Sequence, residues 1–246
     1  MGYNIIVCIK QIVNEITIDT STLEPLISNA RYRLEDLSKN AVEEAVRIKE
    51  RYGGKVTGIL FGNEQATVVM KEAMAMGVDE GIIIRGFRDN SPEFTAKVLA
   101  ERIKRMQYDM IIIGYASADS YTAQVPGRLS AILGIPLLGS AIKTEINDRK
   151  AKIVRESDDF DIVESADMPL LISVTQETNE PRLPLLIQVM AAARKPMTVE
   201  NTTLQYSSNT KIIGNKAPKS GRKHVIYEDE DKGINEISRV IMGSLG

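Results

Sequence analysis

The chain has 246 residues, of which 43% are hydrophobic, so it can bury one large α/β core. The net charge of −2 gives no reason to expect nucleic acid or an anionic membrane as a partner. A single cysteine, Cys8, excludes a disulfide framework and a Cys/His zinc site, and the single histidine, His224, lies in a polar stretch unsuited to a buried triad. We therefore predict neither catalytic residues nor a metal site.

The sequence also favours a cytoplasmic location. No apolar run approaches the roughly 20 residues that cross a bilayer. The first residues lead directly into a strand-like run, without the basic and long apolar segments of a signal peptide. One cysteine is compatible with a reducing compartment.

Short apolar runs alternate with stretches of helical periodicity along most of the chain. The apolar runs predict buried strands at Asn4–Ile9, Lys55–Phe61, Gly81–Ile84, Met110–Gly114 and Leu170–Val174. The stretches between them predict helices at Lys39–Tyr52, Glu64–Met76, Pro92–Met106 and Thr122–Leu133. Ser38 and Ser91 are expected as the N-caps of the first and third helices. This alternation predicts an α/β fold with a doubly wound, mostly parallel, Rossmann-like sheet.

The pattern changes after about residue 135. Three short segments predict a small antiparallel addition to the sheet, at Ala141–Glu145, Lys150–Arg155 and Phe160–Glu164. A short apolar helix is expected at Leu185–Ala193, and a polar, extended arm from Pro196 to about Tyr227. An amphipathic helix at Gly233–Leu245 ends the chain. We expect a nucleotide-binding domain at 1–195 and an arm at 196–246 that docks on a partner subunit.

The loops after Ile9, Phe61 and Gly114 are candidate ligand sites, because ligands of doubly wound sheets bind at the carboxyl ends of the strands. The third loop, Gly114–Gly127, is rich in small and hydroxyl-bearing residues and enters a helix, whose N-terminus attracts anions. Ser120, Thr122 and Gln124 could add hydrogen bonds, so we predict a phosphate cradle that uses no Lys or Arg. The alternative is simple helix capping, since the chain has neither GxGxxG nor a Walker A lysine.

Several motifs then appear together and in order. They are Val42-Glu43-Glu44-Ala45 with Arg47 and Lys49, the run Ala73–Gly77, the Gly114–Gln124 loop, and a long stretch from Val154 through Asn179-Glu180-Pro181-Arg182 to Arg194-Lys195-Pro196. This pattern resembles the β subunits of electron-transfer flavoproteins, including the FixA-like branch. The resemblance extends from about residue 3 to 200.

The resemblance implies an electron-carrier subunit instead of an enzyme. It pairs with an α subunit that holds the redox-active FAD, and it buries a second nucleotide, either AMP or another FAD. Ser120 and Tyr121 stand where many members carry acidic residues, so both nucleotides remain open. By position, the nucleotide contacts would be Cys8, Asp36, Leu37, Ser38, Phe61, Gly62, Asp119, Ser120, Tyr121, Thr122, Ala123, Gln124, Val125 and Pro126.

The resemblance also implies contacts with other proteins. The Leu183–Met190 region is similar to the family's recognition loop for dehydrogenases, with Leu186 as its exposed anchor. Without the family, Leu186 and its apolar neighbours would be assigned to the core. Arg155 and Glu156 match residues near the α subunit, although a solvated charged pair is an equal interpretation. A membrane would be reached only through a quinone reductase.

Two other classes of function remain open from the residues alone. A stand-alone adenine-nucleotide-binding regulator of the stress-protein type would have a similar fold. It usually shows a Gly-rich phosphate loop, which is not found in this sequence. A nucleotide-dependent synthetase or kinase is disfavoured by the absence of a P-loop lysine and of a clear pair of carboxylates for Mg²⁺.

Overall fold

The computed structural model describes residues 2–28, 30–87, 91–205, 213–219 and 225–244. The strands are β1 Tyr3–Ile9, β2 Gln11–Val13, β3 Thr17–Ile18, β4 Pro25–Leu26, β5 Tyr32–Leu34, β6 Gly54–Gly62, β7 Glu80–Arg85, β8 Met110–Gly114, β9 Leu137–Ala141, β10 Lys143–Asn147, β11 Lys150–Glu156, β12 Asp161–Asp167, β13 Leu170–Val174 and β14 Met197–Asn201. The α-helices are α1 Asp36–Tyr52, α2 Ala66–Met76, α3 Pro92–Ile103, α4 Gln124–Leu133, α5 Leu186–Ala192 and α6 Glu230–Ser244. A 3₁₀ turn covers Gln176–Thr178.

The contacts of the chain divide it into two compact units. The larger takes in the chain up to residue 17 and from 26 to 213, and the smaller consists of residues 18–25 and those from 214 on. The smaller unit contains α6, which confirms the amphipathic helix expected near the end of the chain, although Leu245 and His224 lie outside the described residues. Among the described residues, no helix has the length and apolar character needed to cross a membrane.

A seven-stranded parallel sheet forms the centre of the larger unit. Its strand order is β14-β7-β6-β1-β8-β13-β9, and every neighbouring pair runs parallel. Helices α1 and α2 cover one face, and α3 and α4 cover the other. Because strand side chains alternate, Ile5 and Val7 of β1 belong to the first core while Ile6 and Cys8 belong to the second. The predicted doubly wound α/β fold is confirmed.

Strands β10, β11 and β12 form a separate antiparallel sheet, as predicted from the change of pattern after residue 135. One of its faces is apolar, because Ile146, Ala151 and Ile153 are buried and join the first core. This sheet stands between β9 and β13 in the chain, so it interrupts the alternation without breaking the main sheet.

Two edge strands of the main sheet were not predicted. β9 lies just before the antiparallel strand that was expected from Ala141 on and that is present as β10, and it pairs in parallel with β13. β14 lies where the extended arm was expected to begin, and it pairs with β7. Most of its residues are half-buried or exposed, since an edge strand lacks the two covered faces that produce a continuous apolar run.

Candidate functional site

A cleft lies at the carboxyl ends of β1, β6 and β8, and its empty volume is about 710 Å³ when the solvent-filled space at its opening is included. The chain passes from β1 to β6 and β7 on one side and then crosses to β8 on the other side of β1. This is the switch point at which ligands bind in doubly wound sheets. The three loops singled out in the sequence therefore meet at one place.

The inner part of the cleft is apolar. It is lined by the side chains of Cys8, Phe61, Phe87, Leu99 and Ile113. Phe61 packs edge-to-face against Phe87, with their ring centroids 5.4 Å apart. Such a surface suits a flat aromatic ring, such as adenine. Burial raises the pKa of the Cys8 thiol to about 12, so this residue contributes packing and not a reactive thiolate.

The outer part of the cleft is the predicted phosphate cradle at the start of α4. Tyr121 (φ 46°) and Ala123 (φ 53°) are both left-handed, and Ala123 is the N-cap residue of the helix. Left-handed residues turn successive backbone N–H groups toward one point, which makes an anion-binding nest. The first N–H groups of α4, on Gln124 and Val125, have no partner within the helix. Backbone, not side-chain charge, thus supplies most of this part of the site.

One charged side chain does enter the cleft, and the sequence did not predict it. Lys10 follows β1 directly and lines the cleft. Its Nζ donates to Ser117 Oγ at 2.9 Å and forms an ion pair with Asp119 Oδ1 at 2.6 Å. The expectation that the loop holds a phosphate without Lys or Arg stays a prediction, with Lys10 as a cation beside the loop. The signal was available, because Lys10 is the first residue after a strand whose carboxyl end faces the site.

Glu35 connects the start of α1 to the loops after β1 and β8, and it was also missed. It is the N-cap of α1, and its buried carboxylate accepts from the backbone N–H of Ser38 at 2.8 Å. Its other oxygen accepts from the N–H of Ala118 at 3.3 Å, while Ser38 Oγ accepts from the N–H of Lys10 at 3.1 Å. Ser38 was expected to be the N-cap of α1, but it lies inside the helix. The N-cap is Glu35, because its side chain already accepts a hydrogen bond from the backbone N–H of Ser38.

The predicted nucleotide contacts fall into two groups. The structure brings together Cys8, Ser38, Phe61, Ser120 and Thr122–Pro126 around the cleft, with Asp119 at its rim through Lys10. Asp36, Leu37 and Tyr121 line a neighbouring cleft of about 640 Å³ instead. Gly62 does not line either cleft, and a Cβ atom there would lie 2.2 Å from Gln11 Oε1. Whether any of these residues contacts a nucleotide stays a prediction.

Two tyrosines stand between the two clefts. The hydroxyls of Tyr115 and Tyr121 are hydrogen-bonded to each other, and their rings pack edge-to-face. This hydrogen bond, with a smaller contribution from burial, raises the pKa of Tyr115 to about 12. The Tyr115 phenol therefore stays neutral at physiological pH and acts as a hydrogen-bonding group.

The motifs Val42–Ala45 and Asn179–Arg182, which are far apart in the sequence, meet in the structure. Asn40 Nδ2 donates to the carbonyl of Asn179 at 2.7 Å, and Asn179 Nδ2 donates to Glu44 at 3.2 Å. Arg182 bonds Glu43 through Nε at 2.7 Å and Glu50 through Nη1 at 2.6 Å. These contacts fix the segment after β13 to α1. Neither motif lines either cleft, so these contacts are structural.

The residues assigned to protein partners lie at the surface. Leu186 is 76% exposed, and its apolar neighbours Leu183, Leu185 and Ile187 are exposed as well, so none of them belongs to the core. Arg155 Nε forms an ion pair with Glu164 Oε1 at 2.9 Å, while Glu156 is exposed at the end of β11. Among the described residues, no group of acidic, histidine or cysteine side chains could hold a metal ion.

Comparison with known proteins gives a consistent result. The family model described as the electron transfer flavoprotein domain matches residues 26–204. The chain is 34% identical to the electron transfer flavoprotein subunit beta of Thermoanaerobacterium thermosaccharolyticum, over 91% of this chain and 92% of the relative. It is 31% identical to the protein of the same name from Bacillus subtilis, over 74% and 72%, and 30% identical to that from Clostridium acetobutylicum, over 98% and 97%.

Proposed function

The chain belongs to the β-subunit family of the electron transfer flavoproteins, which are electron carriers and not enzymes, and we propose that it works as a heterodimer with an α subunit. In this proposal the α subunit holds an FAD that receives electrons from a dehydrogenase and passes them to a downstream acceptor. The β chain binds an adenine nucleotide, AMP or a second FAD, and presents the surface that the dehydrogenase contacts.

The cleft at the switch point is the observation that carries the nucleotide part of the proposal. Its inner wall offers Phe61 and Phe87 for an aromatic ring, and its outer wall offers the N–H groups at the start of α4 for a phosphate. A nucleoside phosphate has these two chemical parts. AMP and FAD share the adenosine phosphate, so both fit this description and differ only in what extends beyond the phosphate.

The residues of this chain would bind and orient the nucleotide, exclude water from its base and neutralise its phosphate. A flavin, when bound, supplies the redox chemistry itself. This division agrees with the small number of catalytic side chains in the sequence.

The surface residues support the partner part of the proposal. The exposed apolar residues Leu183–Met190 form a patch that a dehydrogenase could cover transiently, with Leu186 as its anchor. Arg155 and Glu156 are proposed to face the α subunit. Of the arm expected from 196 on, β14 pairs with β7 of the main sheet, and α6 is proposed to dock on the α subunit, since it exposes Ile234, Ile237 and Val240. Any link to a membrane would run through a quinone reductase.

Co-expression with the neighbouring α-like gene product tests the proposal. The expected result is a yellow heterodimer that elutes as one species and shows the visible absorption of a bound flavin. A stable, colourless monomer that binds ATP would contradict it, and would favour a stand-alone nucleotide-binding regulator instead.

A further inference from the structure

Lys10 is the only charged side chain among the described residues that line the cleft. The other lining side chains are apolar, hydroxyl-bearing or, in Gln124, an amide. An ammonium has three donors, of which Ser117 and Asp119 take two. The cleft therefore contains a cation that is only partly satisfied by the protein.

The ammonium is connected to the phosphate cradle by a row of hydroxyls. Ser117 Oγ accepts from Lys10 Nζ at 2.9 Å and lies 3.2 Å from Ser120 Oγ. Ser120 belongs to the same loop as Ala123, where α4 begins. Lys10 thus borders the half of the cleft that the backbone N–H groups make attractive to anions.

We propose that Lys10 selects phosphorylated ligands in this cleft. Its ammonium would bind a phosphate oxygen of an adenine nucleotide, and Asp119 would be its counter-ion when no phosphate is present. This inference rests on the proposed nucleotide site, and it adds the residue that distinguishes a nucleotide from its nucleoside. The backbone N–H groups already attract anions, and the lysine adds a formally charged donor that a phosphate can use and a nucleoside without phosphate cannot.

The test compares AMP with adenosine as ligands of the heterodimer, after its bound nucleotide has been removed by dialysis. Dissociation constants are measured by calorimetry for the wild type, Lys10→Met and Lys10→Arg. Lys10→Met should weaken AMP binding about 10- to 100-fold, the loss typical of one hydrogen bond to a charged group, and change adenosine binding by less than about 3-fold. Lys10→Arg should restore most of the AMP affinity, because it keeps the charge.

Lys55→Met is the matched control. Lys55 also lies at the end of a strand and also has a carboxylate partner at 2.6 Å, Glu80, but it lies at the amino end of β6, away from the cleft. It should change neither constant.

Two results would overturn the proposal. Lys10→Met could leave AMP binding unchanged, or it could weaken AMP and adenosine equally. The second would make Lys10 a support of the loop. If the wild-type heterodimer bound neither ligand, the nucleotide site itself would be refuted, which is a different failure.

Discussion

Arg182→Met should loosen the attachment of the segment after β13 to α1. Arg182 bonds two carboxylates that differ in exposure, since the Glu43 side chain is 3% exposed and that of Glu50 is 53% exposed. The exposed pair with Glu50 contributes at most about 1 kcal/mol. In the variant, Glu43 still has its ion pair with Arg47 Nε at 2.5 Å. Loss of the contact between Arg182 and Glu43 should therefore lower the free energy of unfolding by about 2 kcal/mol, which is less than the loss for a buried charge left without any partner.

The total, about 2–3 kcal/mol at neutral pH, is measured by urea unfolding of the purified chain followed by circular dichroism. Burial alone would raise the pKa of Glu43, but hydrogen bonds from Arg182 and Arg47 outweigh it and hold that pKa below its ordinary value. Hydrogen bonds from Arg182 also lower the pKa of Glu50.

A depressed carboxyl pKa contributes stability above the ordinary glutamate value of about 4.3, and this contribution is lost as pH falls through the folded-state pKa. The difference between wild type and Arg182→Met should therefore be complete at pH 7 and shrink below about pH 4. Glu50→Gln, which removes only the exposed pair, should cost no more than about 1 kcal/mol. A loss below about 0.5 kcal/mol for Arg182→Met, or a difference independent of pH, would refute this reasoning.

Two further predictions concern the partner surface and the cleft. Leu186→Ala should slow electron exchange with the dehydrogenase and leave flavin content unchanged. Leu26→Ala, the control at another exposed leucine, should affect neither. A loss of flavin in Leu186→Ala would instead indicate a structural role for Leu186. Cys8 should react with iodoacetamide at pH 8 about 10³-fold more slowly in the folded chain than in urea, because burial holds its pKa near 12. Equal rates would show that the thiol is accessible.

The central sheet was predictable because β1, β6, β7, β8 and β13 are covered on both faces. Such strands produce short continuous apolar runs that only a buried parallel sheet explains. The edge strands β9 and β14 were missed, since each has one neighbour and a partly exposed face. Their pairing is decided by contacts with distant residues, which a local pattern does not contain.

The site was predicted through its backbone and less well through its side chains. The loop after Gly114 was identified as a candidate site by its small residues and by the helix that follows it. Lys10 and Glu35 were missed because their roles depend on contacts with residues that are distant in the sequence. Lys10, after β1, meets Ser117 and Asp119, after the neighbouring strand β8, and Glu35 meets Ala118; no spacing along the chain encodes these contacts.

The nucleotide content of the heterodimer tests the central proposal most directly. The heterodimer with the α subunit is denatured, and the released FAD and AMP are each counted per heterodimer by chromatography. The proposal predicts two adenine nucleotides per heterodimer, either one FAD and one AMP or two FAD. The amount of AMP decides whether AMP or FAD occupies the cleft at Lys10 and Ala123. A heterodimer with one FAD and no other nucleotide would contradict it.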